Sequence, residues 1–302
     1  MLRIRRRPWF VGALFVGIAF SFQIADAQYT ASFQTNIISG VVSNWSGSYN
    51  VGYDNHADML SIQNGGVLSN GNGVVGYLSN ASSNTVLVAG LGSAWINNSG
   101  SLVVGFDGAY NNLTITNSGK VTSWGGHLGW EGGANNTALI TGTGSVWSIL
   151  GSMAIGNFNG SGNRLVVSSG AHVLVTSGAD LSSPSNSVLV TGPGSVWSNA
   201  GPLFIGGDYG KNSMVISNGG QVVSAGSYIG AGGVNIGSDN AVQVTGAGST
   251  WESGDSLAVG FSSLRNSLVI SNGGVVVNGT NGSVGYFPTS SNNNMRVVDK
   301  GS

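Results

Sequence analysis

Two carboxylates and a histidine stand out first. Asp107 and Glu131 each fall two residues after a glycine, Gly105 and Gly129, in neighbouring copies of a repeat, and His127 lies between them. Paired acids can divide the work of glycoside hydrolysis, one protonating the leaving oxygen while the other activates water or attacks. The nearest basic residue in sequence is Lys120, and no second acid cluster supports the first. The pair therefore reads as turn chemistry, and the expected catalytic set is empty. Asp54, His56 and Asp58 form a second group, with alternate residues on one side of an extended chain. No further ligands recur around them, so a polar turn is expected, with neither metal nor cofactor. The third candidate is aromatic. The residue after the repeat glycine is Tyr53, Tyr77, Phe106 and Trp130 in four successive copies, and Phe261 and Tyr286 return to it later. Rings in such a column could stack on sugar faces or simply shield a corner of the fold. Trp124 stands off the repeat and reads as an exposed ring.

The elements that must position these side chains follow from periodicity. Gly-x-Gly-Ser-x-Trp recurs, ending at Trp95, Trp147, Trp197 and Trp251, with Trp45 as a degenerate first copy. The spacings are 50, 52, 50 and 54 residues. A shorter period lies inside it. Asp58, Asn84, Asn111, Asn136, Asn163, Asn186, Asn212, Asn240, Asn266 and Asn293 each stand two residues ahead of an apolar-x-apolar pair, 23 to 28 residues apart. Eight residues after each is a glycine, with Ala171 the exception. The unit is about 26 residues, and the longer repeat is two alternating units, one with Gly-Ser-x-Trp and one with Asn-Gly-Gly-x-Val.

Each unit holds three apolar stretches of three to five residues, such as Leu268-Val269-Ile270, Val222-Val223 and Leu203-Phe204-Ile205. They are too short for helices, they alternate, and Gly, Asn and Ser separate them. The expected fold is all-β: a single parallel β-helix (β-solenoid) of about ten rungs, three short strands to each. At roughly 4.8 Å per rung the rod is roughly 48 Å long. Stacked side chains of like residues give one continuous core, and the Asn positions stack as an amide ladder. A β-sandwich also has short strands, but it does not need the same residue ten times at one period.

Composition agrees. Only 7% of the 302 residues are charged, 52 are glycine and none is cysteine. Disulfides, thiolate nucleophiles and Cys-ligated zinc are excluded. Ten basic against eleven acidic residues exclude the usual electrostatic nucleic-acid binder. Residues 1–27 read as a signal peptide: Arg3, Arg5, Arg6 and Arg7, an apolar run from Trp9 to Phe22, and Ala25-Asp26-Ala27 before the cleavage point. Its loss leaves six basic and ten acidic residues, a net charge of −4. No later stretch is long and apolar enough to span a membrane as a helix.

Leu-x-Val/Ile-Gly, Leu-x-Ile-x-Asn-Gly-Gly-x-Val and Val-x-Val-x-Gly-x-Gly-Ser-x-Trp together resemble the paired repeats associated with bacterial type V autotransporters and PEP-CTERM proteins. The resemblance covers residues 45–302, with 28–44 as a lead-in. It implies a non-enzymatic, exported, β-helical stalk or adhesin-like passenger region, at or outside the outer membrane of a Gram-negative bacterium. An extracellular glycan or a host or matrix surface would be its partner. A C-terminal translocator barrel or sorting anchor belongs to such proteins and is missing here, so a truncated chain is expected. The alternative reading is a polysaccharide-binding or polysaccharide-cleaving β-helix.

Overall fold

The computed structural model describes residues 29–207, 209–232, 237–299 and 302. The expected signal peptide, 1–27, lies outside them. The described chain is all β: three parallel sheets of eleven, ten and ten strands. Each complete rung after the first gives one strand of five residues, one of four and one of three; in the first the second strand, Val42–Asn44, has three. Thr137–Thr141, Val146–Ile149 and Met153–Ile155 make one such rung. Each strand pairs with its counterpart in the rungs before and after, so the fold is a β-solenoid of ten complete rungs. Strand sequences dictate which side turns inward. In Thr137–Thr141 only Ala138 and Ile140 are buried, and stacking those positions rung on rung makes the core.

The coil begins at Thr35, inside the segment 28–44 expected to be a lead-in. The offset comes from Trp45. The core position opposite Leu68 is Ser43, and Trp45 lies two residues beyond it. Trp45 packs edge-on against Tyr49, with ring centroids 5.8 Å apart, outside the column of the other repeat tryptophans.

That column explains why the true period is two rungs. Along the second sheet the inward residues run Leu68, Trp95, Val121, Trp147, Val173, Trp197, Val222, Trp251 and Val276. Across the core, the third sheet runs Gly73, Leu102, Gly126, Met153, Ala179, Leu203, Ser227, Leu257 and Gly282. Valine and leucine rungs of the second sheet thus carry a small residue opposite, and tryptophan rungs a large one. The small residue makes room for the indole of the next rung. A Cβ on Gly73 would lie 2.6 Å from Cζ2 of Trp95, and one on Gly126 would lie 3.1 Å from Cζ2 of Trp147. The serine of Gly-Ser-x-Trp locks the two units together. Ser93, Ser145, Ser195 and Ser249 accept the backbone N–H of Gly65, Ser118, Gly170 and Gly219 at 3.0–3.1 Å.

The asparagines stand in one column ahead of the first sheet, buried from Asn84 to Asn266 and partly buried at Asn293. The Oδ1 of each accepts the backbone N–H of its predecessor: Asn84 to Asn111 at 2.9 Å, Asn111 to Asn136 at 2.8 Å, Asn136 to Asn163 at 2.9 Å. The pattern continues through Asn186, Asn212, Asn240, Asn266 and Asn293. In several rungs the predecessor's Nδ2 donates to the same oxygen, as Asn136 does to Asn163 at 3.0 Å. The residue before the ladder position is left-handed, for instance Ser83 at φ 59° and Arg265 at φ 54°. The glycine ending the third strand is needed twice over. Gly105 has φ 77°, and a Cβ there would overlap the Asn136 amide.

Asp58 is the acidic variant of this position, at the start of the column. Its Oδ1 accepts the Gln34 N–H at 2.9 Å, but its buried Oδ2 has no hydrogen-bond partner. Burial pushes its carboxyl pKa up, against the Gln34 N–H and the neighbouring His56, which pull it down. A raised native pKa means stability is fullest in acid and falls as pH rises through that value. Asp58→Asn is therefore expected to stabilise the protein at neutral pH by about 1 kcal/mol. The gain should vanish at acid pH, as urea titrations at both pH values would show.

Candidate functional site

The aromatic positions lie in the turn after the third sheet, where rung-to-rung backbone pairing continues past the strands. Tyr77 N–H donates to Gly52 at 2.9 Å, Phe106 to Gly76 at 2.9 Å and Trp130 to Gly105 at 2.8 Å. This fixes the rings at the rung spacing. Tyr53 and Tyr77 stack with centroids 4.9 Å apart, and Tyr77 and Phe106 stack at 4.8 Å with only 3° between planes. Trp130 breaks from the stack. It turns its edge to His127 at 4.2 Å and to Phe158 at 5.4 Å. Among the described residues no ring contact joins Phe106 to Trp130.

Rings stacked along a rod axis cover one another's faces. The stack therefore presents edges along its length; it begins at Tyr53, which is half-exposed, and ends at Phe106, which is partly buried. There a groove of about 570 Å³ opens, lined by Tyr77, Leu78, Phe106, Asp107, Glu131, Gly132, Phe158 and Asn159. Its volume is that of a small-ligand site. Asp107 and Glu131, one rung apart, border this same groove. The Asp107 N–H donates to the Tyr77 carbonyl at 3.0 Å. The Asp107 carboxylate lies over Gly132, where a Cβ would come within 2.6 Å of Oδ1. Glu131, Phe158 and Asn159 hold left-handed backbone at φ 44°, 44° and 77°. Such conformations cost about 1 kcal/mol or more each for non-glycine residues.

His127 stands behind the groove, on the third sheet between Val103 and Ala154. Burial pulls its pKa down to about 4, and its Nδ1 is buried without a partner. The unfolded chain takes up the proton first, so stability is intact above the ordinary histidine value and is lost as pH falls toward 4. Going from neutral pH to this range should cost on the order of 2 kcal/mol. His127→Leu should flatten that dependence in denaturant melts.

The later aromatics form a second patch. Phe261 and Tyr286 stack at 4.9 Å, and Phe204 and Tyr228 at 5.3 Å. Tyr228 meets Phe261 edge-on at 5.0 Å, and Phe287 packs against both Phe261 and Tyr286. Phe158, Phe204, Tyr228 and Phe287 are contributors that the glycine-plus-one rule does not reach. Phe204 and Tyr228 occupy the outward middle position of three-residue strands, a signal present in the alternation of Leu203-Phe204-Ile205. The Asp54–His56–Asp58 group does not converge. His56 packs edge-on against Phe33 at 5.0 Å and hydrogen-bonds Ser32, while Asp58 is drawn into the ladder. Among the described residues no three His, Cys, Asp or Glu side chains gather as a metal site. Trp124 is exposed.

Fold and site together define a β-solenoid repeat protein with a ring-walled lateral groove. No protein-family profile matches the chain, and no curated protein matches it. Among solved structures, the chain is similar to a fragment of TibA described as TibC-catalysed and hyper-glycosylated. The identity is 14%, over 86% of this chain and 98% of the fragment, with a TM-score of 0.33.

Proposed function

We propose that this chain is a non-enzymatic, exported surface rod of a Gram-negative bacterium that holds an extracellular polysaccharide at the Phe106 groove. One observation carries the reading: a parallel stack of Tyr53, Tyr77 and Phe106 whose last ring lines a groove of about 570 Å³. A pyranose offers a flat apolar face to such a ring and hydroxyls to acceptors beside it. The repeat resemblance to type V autotransporter and PEP-CTERM-associated units supports export and surface display, and the even ladder supports a stiff spacer. A glycan array comparing wild type with Phe106→Ala and Tyr77→Ala tests the binding; no signal from the wild type sinks it.

A cleaving enzyme is the second reading, favoured by Asp107 and Glu131 bordering one groove. No basic side chain lines that groove to assist them. Release of reducing ends by wild type, abolished in Asp107→Ala with Glu131→Ala, would establish it in place of the first.

A further inference from the structure

We infer that the sugar held at the Phe106 groove carries a free amine: a hexosamine unit with its nitrogen protonated. The inference rests on the proposed sugar-binding role and adds the ligand's charge. Two of the eight residues lining the groove carry carboxylates, Asp107 and Glu131, and none is basic. The surrounding turns agree. Segments 52–58, 76–84, 105–111, 129–136 and 156–163 hold Asp54, Asp58, Asp107 and Glu131 but neither lysine nor arginine. The second aromatic patch is different. Its turns carry Lys211 and Arg265, the latter paired with Asp239 at 2.7 Å.

An anionic sugar such as a uronate would therefore be repelled at the Phe106 end. A neutral sugar would leave the two carboxylates with only hydroxyl donors. An ammonium satisfies both the acids and the ring. It donates charge-assisted hydrogen bonds to Asp107 and Glu131 while the pyranose face rests on Phe106. Gly132 leaves the approach to Asp107 open, since any side chain there would meet the carboxylate. The off-repeat left-handed backbone of Glu131 and Phe158 belongs to two residues that border this space.

The test is calorimetric titration of the purified mature chain with a glucosamine disaccharide and with its N-acetylated counterpart. Wild type should bind the amine form at least about tenfold more tightly, as expected for one charge-assisted contact. The preference should weaken with added salt and as pH rises through deprotonation of the sugar amine. Asp107→Asn with Glu131→Gln should reduce the preference to within about twofold, with circular dichroism showing an unchanged fold. Phe106→Ala should abolish binding of both sugars. Equal binding of the two sugars by wild type, or an amine preference that survives the double variant, overturns the inference while leaving sugar binding in place. Binding of neither sugar overturns both.

Discussion

Asn136→Ala should lower the free energy of unfolding by about 3 kcal/mol, close to the upper end for one polar side chain. Asn136 is fully buried. Its Oδ1 accepts two donors from Asn111, the backbone N–H at 2.8 Å and Nδ2 at 3.1 Å. Its own N–H and Nδ2 both reach Asn163 Oδ1, at 2.9 and 3.0 Å. Alanine keeps only the backbone donor. The Asn111 N–H is then orphaned where water cannot reach it. The Asn111 Nδ2 is spared the full loss because it also donates to the Ala81 carbonyl at 3.1 Å. Asn136→Asp should be worse at neutral pH, since a carboxylate oxygen would replace the amide and face the Asn163 oxygen. The chain tolerates Asp58 at this position only at the start of the column, beside Gln34. Because each rung touches only its neighbours, the damage should stay local. Hydrogen exchange should rise across residues 111–163 and change little beyond about residue 213.

The second large effect belongs to Trp147. Trp147→Ala should cost about 3–5 kcal/mol, the range for emptying a buried indole. Trp147 has no exposed surface, and its Nε1 donates to Ser123 Oγ at 3.2 Å. The informative experiment pairs it with Gly126. Gly126→Val should cost about 1–3 kcal/mol by overpacking, because its side chain would meet Trp147 and Ile149. Combining Gly126→Val with Trp147→Val should cost less than the sum of the two single changes. A double-mutant cycle by chemical denaturation measures that coupling, and strict additivity would refute the exchange of volume between the two sheets.

Much of the architecture was legible because a solenoid repeats its physics. The Asn positions, the glycine eight residues on and the three short alternating stretches each recur, so ten weak signals at one register make a strong one. Trp45 misled for the same reason. It copies the tryptophan of the motif but lies two residues past the core column, and only the pairing of Ser43 with Leu68 reveals that. The partner of the tryptophans was invisible for a different reason. Gly73, Gly126, Ala179, Ser227 and Gly282 share smallness, not identity, and their meaning lies across the core. The site was half legible. Tyr53, Tyr77 and Phe106 could be read from spacing, but no spacing shows that Trp130 turns aside to His127 and leaves the stack. Phe158 belongs to the groove through a left-handed backbone position that it shares with Glu131, two residues after the rung glycine.

The ladder also gives the rod a mechanical direction. Every amide oxygen in it points back to take the N–H of the rung before, so each rung is clasped by its successor. A load applied at the last rung breaks one clasp together with three short strand pairings, then meets an equivalent set in the rung beneath. Each rung of about 26 residues would pay out roughly 90 Å of chain as it peels. The rod would therefore yield in steps of nearly constant length, absorbing tension at the groove rung by rung instead of failing at once.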